Sequence, residues 1–481
     1  MSENPFEHDY GTKKIFESLS DIAGKHITIM GLGLNGGGEA VATFLAKHGA
    51  ILTITDMKTA AELAPTIEKI SKDPSIDTSK ITYILGHHDI TDFENADCVI
   101  KNPGIKYDGN KFLAVAKHIE TDLSLFLQFC PATIIAVTGS KGKSSTASAI
   151  YYGLCKAGFD AKLGGNITVS PLSFIDTCTE KTPVVLELSS WQLSDLRGRH
   201  LLKPRIAVLT TIVADHQNWY HAMEPYIADK KLIYADQSGD DVLFCADRNN
   251  WGNEFASEAP AHVVRYPIKP DEEWLNDICV PGEHQKQNVY NAYLVLCEMG
   301  VKEENAIKIM QSYPGIEHRL EYFYTWNKIK FYNDTTATVP EAAVAAIKAF
   351  KEPVHFMGGG TDKGLELDVL ADALTESIET QRVRSIRLLE GTGTKKLIKL
   401  LKKRKVDYLG PFDSLESMLN DFKKTIIAEF SISLERPANS KSDTHTNLVV
   451  VFSPGATSFG MFANEFDRGS KFKEAVKEIF R

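Results

Sequence analysis

Between an apolar run at 133–137 and a stretch with helical spacing lies Thr138-Gly139-Ser140-Lys141-Gly142-Lys143-Ser144-Ser145. In such a turn backbone N–H groups cradle phosphate oxygens, a lysine neutralises the terminal phosphates, and the next hydroxyl binds Mg²⁺. The general pattern needs glycine at 137, where this chain has Val137, so the match is to a tighter variant. This is the strongest local signal. A second turn, Gly31-Leu32-Gly33-Leu34-Asn35-Gly36, also joins a strand to a helix, and Asp56 ends the following strand. Its glycines allow close backbone approach at a helix N-terminus, as in dinucleotide sites, but the pattern does not say which nucleotide. Asn102-Pro103-Gly104 follows another strand and would face the same crevice, and it reads equally well as a plain turn. A third turn, Gly358-Gly359-Gly360-Thr361-Asp362-Lys363, is weak alone, because a glycine turn with a solvated lysine is common.

Several side chains downstream of the lysine loop could hold metal or charge. Glu187 lies in Leu186-Glu187-Leu188-Ser189-Ser190-Trp191, near the end of a strand, where an acid beside a phosphate loop can reach Mg²⁺ directly or through water. Asp215 and His216 follow another strand after a short loop. A lone histidine is more often structural than a ligand. Lys230 and Lys231 would ordinarily be a solvated helical face.

These loops are set in β/α alternation that runs from end to end. Strands are expected at His26–Met30, 51–55, Ile81–Leu85 and Cys98–Lys101, with a helix reaching about 48 after the first turn. A new start comes at 133–137, with a helix from Lys143 and strands at 184–188 and 206–210. A third start gives a strand at 328–333, a helix at 340–350, and strands at 354–357, 384–389 and Leu448–Phe452. The spacing therefore predicts three α/β units with boundaries near 130 and 317. Residues 435–447, rich in Ser, Thr, Asn and Lys, read as a surface loop. The basic stretch 395–405 suits a helix with Leu397, Leu400 and Leu401 against its own sheet, with a membrane-surface role as the alternative.

Bulk properties narrow the class. A chain of 481 residues is too long for one core. With 63 acidic and 54 basic residues its formal charge is −9, which opposes general binding to nucleic acid or anionic membrane. The seven cysteines are scattered and contain no Cys-x-x-Cys pair, so they read as reduced core thiols rather than a disulfide frame or zinc site. There is no signal-peptide pattern, and the longest apolar run, 123–137, is interrupted by Ser124, Gln128, Pro131 and Thr133. A cytoplasmic protein is expected.

Taken together and in order, these loops resemble the Mur ligase superfamily, which builds the peptide stem of the bacterial cell wall. To the turns above are added Gly164-Gly165-Asn166, Glu187-Leu-Ser-Ser-Trp-Gln192, Tyr226-x-x-x-Lys230, Gly282-Glu-His-Gln-Lys-Gln-Asn288, His318-Arg319, Asn333-Asp334 and Ser453-Pro-Gly-Ala-Thr-Ser458. Each is weak alone, and their order across the whole chain is specific. Within the superfamily the match is closest to the branch that adds glutamate. The Gly-Leu-Gly-Leu and Asn-Pro-Gly-Ile turns and the final Ser-Phe-x-x-Phe-x-Asn carry it, and the Asp-Asn-Pro-x-Arg of the diaminopimelate branch is absent.

The resemblance implies an α/β fold of three domains: a Rossmann-like UDP-substrate-binding domain over 1–130, a central P-loop ATPase-type parallel sheet over 131–317, and a Rossmann-like amino-acid-binding domain over 318–481. It implies a cytoplasmic monomer that uses ATP and two Mg²⁺ ions to join glutamate to a UDP-linked muramoyl-alanine through an acyl phosphate. Leu34, Asn35, Asp56 and Gly104 would hold the UDP, and Asn166 the muramoyl-alanine end. Residues Gly139, Ser140, Lys141, Gly142, Lys143, Ser144 and Ser145 would cradle ATP, with Asn288 at adenine, Arg319 at the phosphates and Asp334 at the ribose. Ser144 with Glu187 would hold one metal and His216 a second. Lys230 matches a lysine that is carbamylated, which turns a cation into a metal ligand. Lys143, His216 and Lys230 would thus be catalytic, and Thr338, Lys363 and Ser458 would grip the amino acid's carboxylates. Closure of the third domain over the second would exclude water from the acyl phosphate.

The chain departs from the common pattern in places. Many relatives read Asp-Ser-Lys-Ala-Thr-Asn where this chain has Asp334-Thr335-Thr336-Ala337-Thr338-Val339. The missing lysine leaves the identity and handedness of the added amino acid open. Gln285 replaces an asparagine after His284, and Glu465 or Phe466 falls where a backbone contact to glutamate is expected. Rival readings fare worse. An NAD-dependent oxidoreductase leaves the lysine loop unexplained, and a non-catalytic nucleotide-binding protein leaves Lys143, Glu187, His216 and Lys230 without a task. A folylpolyglutamate synthase shares the chemistry but lacks a UDP-type first domain.

Overall fold

The structure, a computed structural model, describes residues 10, 14–34, 36–167, 169–247, 250–434 and 448–481. Asn35 and the expected surface loop 435–447 lie outside the described residues. The first sheet contains β1 (His26–Met30), β2 (Ile51–Asp56), β3 (Ile81–Leu85), β4 (Cys98–Lys101) and β5 (Ile119–Glu120), all parallel, in the order β3-β2-β1-β4-β5. The strand order reverses between β1 and β4. Loops leaving the two strands therefore diverge and open a crevice at their carboxyl ends.

The second sheet contains β6 (Thr133–Thr138), β7 (Lys162–Gly165), β8 (Pro183–Glu187), β9 (Ile206–Leu209), β10 (Val242–Ala246) and β11 (His262–Tyr266). Its order is β11-β10-β9-β6-β8-β7, again all parallel. Strands β6, β8 and β9 are buried along nearly their whole length, as expected of strands covered on both faces. Register pairs Val137 with Glu187 on one side and Thr138 with Leu209 on the other. That register sets the acid at the end of β8 beside the lysine loop.

The third sheet contains β12 (Glu321–Trp326), β13 (Ile329–Asn333), β14 (Val354–Gly358), β15 (Val383–Leu389), β16 (Leu409–Phe412) and β17 (Leu448–Phe452). Its order is β12-β13-β17-β14-β15-β16, parallel except that β12 runs antiparallel to β13. The hairpin between them turns on Asn327 and Lys328, both with positive φ (46° and 68°), the sign pattern of a tight turn that matches strand twist. An Asn-Gly pair would have announced that turn in the sequence. Asn-Lys does not. The helix Thr392–Lys403 buries Leu397 and Leu401 in the core on one face of this sheet, as the basic amphipathic stretch requires.

By contacts the chain divides into two compact units, one of residues 1–271 and 287–310, the other of 272–286 and 311–481. The first holds the first and second sheets, which share one hydrophobic core running from Ile27 and Ile54 through Phe126 to Val184 and Leu209. The second has a core on each face of the third sheet. No helix among the described residues is long and apolar enough to cross a membrane.

Inside the first unit a buried ionic network ties the first sheet to the second. Lys101, at the end of β4, is 2% exposed, and its Nζ donates to Asp195 Oδ2 (2.8 Å) and to the Ile105 carbonyl (3.0 Å). Arg199 donates to Glu120 Oε2 (3.0 Å) and to the Ile119 carbonyl, and Tyr10 donates to Asp195 Oδ1 (3.1 Å). Burial raises the Asp195 carboxyl, and Lys101 is the main opposing charge. Removing one partner of such a pair strands the other in low dielectric. Lys101→Met should therefore destabilise the first unit by about 3–5 kcal/mol. Urea unfolding followed by tryptophan fluorescence measures this, and a loss below about 1 kcal/mol would mean the pair is not the anchor between the sheets.

Candidate active site

The lysine loop leaves β6 and enters the helix Lys143–Lys156. Gly142 caps that helix at φ 89°, and a β-carbon there would lie 2.5 Å from Asn288 Oδ1, so sterics and backbone both demand glycine. The loop is fixed from the neighbouring strand's exit. Ser140 N–H donates to the Thr211 carbonyl (2.8 Å), Ser140 Oγ to the Val213 carbonyl (2.7 Å), and Thr210 Oγ1 to the Lys141 carbonyl (2.8 Å). Tyr226 O–H donates to Ser140 Oγ (2.9 Å). These bonds leave the helix N-terminus, with Lys143, Ser144 and Ser145, as a preformed anion cradle. Lys143 Nζ donates to its own loop at the Ser140 carbonyl (3.0 Å), and burial lowers its pKa against the pull of Glu187 and Asp215.

Around this cradle stand the metal and charge candidates. Glu187 is buried, accepts from Asn166 Nδ2 at Oε1 (3.2 Å), and leaves Oε2 buried without a hydrogen-bond partner among the described residues. An orphaned carboxylate oxygen at the end of β8 fits a divalent cation better than it fits any protein donor. His216 is exposed at φ 52° with its ring 5.0 Å from that of Trp191. Burial pushes the adjacent Asp215 up, but His216 and Lys141 more than offset this and leave it below the usual carboxylate range. Lys230, on the helix Met223–Lys231, is 1% exposed and donates to the Gly139 carbonyl (2.8 Å) over the Tyr226 ring. Burial, reinforced by Lys143, pulls its ammonium down to about 7. The sequence pattern alone made this lysine a solvated surface residue. A helix whose polar face turns inward towards a loop does not announce itself by periodicity.

The first crevice contains the other nucleotide-type turn. Gly31 stands against the Asn102 side chain, a β-carbon on it lying 3.7 Å from Asn102 Cβ, so the two turns do share one crevice. At Gly38 a β-carbon would collide with the Leu32 carbonyl at 2.1 Å, which fixes how closely the helix Gly37–Lys47 follows the turn. Asp56 accepts from Gly33 N–H (3.0 Å) and Lys58 N–H (2.9 Å), so its carboxylate organises the turn. Leu34 and Gly104 are exposed at the crevice's loops, with Gly104 N–H donating to Asn102 Oδ1 (3.1 Å).

In the second unit the loops leaving β13, β14 and β17 meet. Gly455 N–H donates to the Ala337 carbonyl (2.8 Å), Gly359 N–H to Pro454 (2.9 Å), and Thr361 bridges to Thr457. Thr338, Lys363 and Ser458 therefore belong to one loop cluster, with Ser458 buried and Lys363 exposed. Asp334 is buried, its pKa pushed up to about 6 by burial, and it accepts from Ser453 Oγ (2.6 Å) and Leu320 N–H (3.1 Å). Thr336, at the position of the missing lysine, donates to the His318 carbonyl (2.9 Å). Arg319 is exposed. Beside it Glu317, His318 and Glu321 bring their ligand atoms within 4.8 Å of one another, but Lys473 Nζ already sits 2.8 and 2.7 Å from the two carboxylates.

Known proteins are similar to this chain over most of its length. The Mur ligase middle domain matches residues 137–308, and the MurD-like N-terminal domain of Mur ligases matches residues 25–121. The UDP-N-acetylmuramoylalanine–D-glutamate ligase of Treponema pallidum is 39% identical, the alignment covering 95% of this chain and 98% of that protein. The enzyme of the same name from Borreliella afzelii is 36% identical over 95% of this chain and 99% of its own. Among solved structures, the UDP-N-acetylmuramate–alanine ligase of Thermotoga maritima shares the fold, with a TM-score of 0.51 at 15% identity, covering 95% of this chain and 100% of that one.

The buried lysine makes a prediction about stability. Folded Lys230 titrates at about 7, against 10.5 for an ordinary lysine. Between those values unfolding takes up a proton, so the penalty for burying the charge is largest below the folded pKa and fades as pH rises through this window. Lys230→Met should stabilise the ligand-free protein near pH 7, and its advantage should shrink towards pH 10. Urea midpoints at several pH values check this, and parallel pH dependences for the two proteins would contradict it.

Proposed function

The chain belongs to the UDP-N-acetylmuramoylalanine–D-glutamate ligase family of Mur ligases, and from that premise we propose how its residues divide the work. It is an ATP-dependent ligase that joins D-glutamate to UDP-N-acetylmuramoyl-L-alanine in peptidoglycan precursor synthesis. The observation that carries the assignment of roles is the grouping of Lys143, the orphaned Glu187 oxygen and the near-neutral Lys230 around one phosphate cradle.

In this reading the Gly31–Gly36 and Asn102–Gly104 turns hold the uridine diphosphate through backbone groups, with Leu34, Asn35 and Gly104 in contact and Asp56 shaping the turn. The loop Gly139–Ser145 cradles the ATP phosphates, Asn288 supports the loop and faces the base, and Arg319 and Asp334 serve the phosphates and ribose. The alanine carboxylate attacks the γ-phosphorus and ADP departs, leaving an acyl phosphate. Lys143 and Arg319 stabilise the charge spread over the phosphoryl oxygens. The amine of D-glutamate, held by Thr338, Lys363 and Ser458, then attacks the acyl carbon, loses a proton and expels phosphate. Asn166 orients the alanine end.

Magnesium fits the donors present: Ser144 and Glu187 would hold one ion, and His216 with Lys230 a second, each adding positive charge beside the transferring phosphoryl group. Lys230 serves as a ligand only after its neutral amine has captured CO₂ as a carbamate. A pKa near neutrality supports that role, because a lysine at its ordinary value has almost no neutral amine at physiological pH. The same reading assigns UDP-substrate binding to residues 1–130, ATP binding to 131–317 and amino-acid binding to 318–481, in a monomer working in the cytoplasm.

ADP release should require UDP-N-acetylmuramoyl-L-alanine together with D-glutamate, and a panel of other D- and L-amino acids should not replace it. Equal rates with L-glutamate would overturn the D-glutamate assignment. Lys143→Ala should abolish phosphate release, and survival of activity within about tenfold would remove this loop from the reaction. Lys230→Ala should be inactive and partly restored by added short-chain carboxylates. Full activity without rescue would reject the carbamate.

A further inference from the structure

The helix Glu465–Ile479 carries Arg468, which is 1% exposed and among the largest fully buried side chains. Its Nε donates to Thr335 Oγ1 (3.0 Å), one terminal nitrogen to the Thr335 carbonyl (2.8 Å), and the other to the Ala456 carbonyl (3.1 Å). The backbone of Gly360 passes close by, such that a β-carbon there would lie 3.4 Å from the guanidinium. Thr335, Ala456 and Gly360 come from the loops leaving β13, β17 and β14. Those loops carry Thr338, Ser458 and Lys363 two or three residues further on. One side chain thus ties two of these loops together by hydrogen bonds and lies beside the third.

Among the described residues, none of the groups that accept its hydrogen bonds is a carboxylate. A buried guanidinium is normally matched by an acid, because an unpaired charge in low dielectric is costly. Here burial lowers the group's pKa to about 10, and only Glu465, within one turn of the same helix, opposes this. The loop 334–339 itself contains no cation, since Thr336 stands where relatives carry lysine. We propose that Arg468 is a positioning residue for the incoming dicarboxylate amino acid. Its fork ties the Thr335 and Ala456 loops together beside Gly360, and its charge, opposed through space by Glu465 but bonded to no carboxylate among the described residues, gives the loop cluster a positive potential that the amino acid's carboxylates complete. This rests on the ligase reading and goes beyond it, since Arg468 touches no reacting atom.

Arg468→Met, which loses fork and charge, should raise KM for D-glutamate by about 30-fold or more while KM for ATP and for the UDP-linked substrate stays within about threefold. Arg468→Lys, which keeps the charge, should raise it by only about three- to tenfold. Thr335→Val removes one acceptor without touching the charge, and should raise KM for D-glutamate by about threefold. That variant and Arg468→Lys decide the matter if Arg468→Met does not fold, as judged by circular dichroism. The idea fails if folded variants keep the wild-type KM for D-glutamate within twofold, or if all three KM values rise together, as a merely structural residue would make them do. If the wild-type protein shows no D-glutamate-dependent ADP release, the ligase reading fails instead.

Discussion

The phosphate-type loop of the first unit rests on one buried contact, the Lys230 amine bonded to the Gly139 carbonyl. It places a titrating nitrogen under the phosphate loop, where burial and the neighbouring Lys143 disfavour its charged form. The cradle above it is held by Ser140, Thr210 and Tyr226, so the loop cannot simply swing away to relieve the repulsion. The remaining way out is loss of a proton near neutral pH.

Each sheet places its loops in a similar way. Parallel strands with neighbours on both sides send their loops out at one edge. In the second and third sheets loops there lock together through backbone bonds, Ser140 to Thr211 and Gly455 to Ala337, while in the first the Gly31 turn stands beside the Asn102 side chain. The side chains that meet ligands need not hold the loops in place. Residues behind them, such as Asp56, Tyr226 and Arg468, do that.

The sequence made the fold class and the three loop systems legible because glycine turns at strand ends and buried β-branched runs are strong, local signals. It was weaker where tertiary context decides. β16, which contains Gly410 and Pro411, is not among the expected strands, yet it pairs at the sheet edge. Lys230 reads as a surface charge from its spacing, yet it is buried, as are Lys101 and Arg468. Only the resemblance to a family singled out Lys230, and nothing in the pattern singled out Lys101 or Arg468. Asp56 was legible as a residue of the first crevice, but its hold on Gly33 and Lys58 belongs to geometry. The identity of the amino acid came from the relatives, since Thr336 removed the local clue.

The acids Glu317 and Glu321 already hold Lys473 between them. Such a cluster would otherwise attract the same divalent ions that phosphate chemistry requires. A tethered ammonium cannot be diluted or chelated away. The carboxylates beside Arg319 thereby have an ammonium of the chain itself as counter-charge.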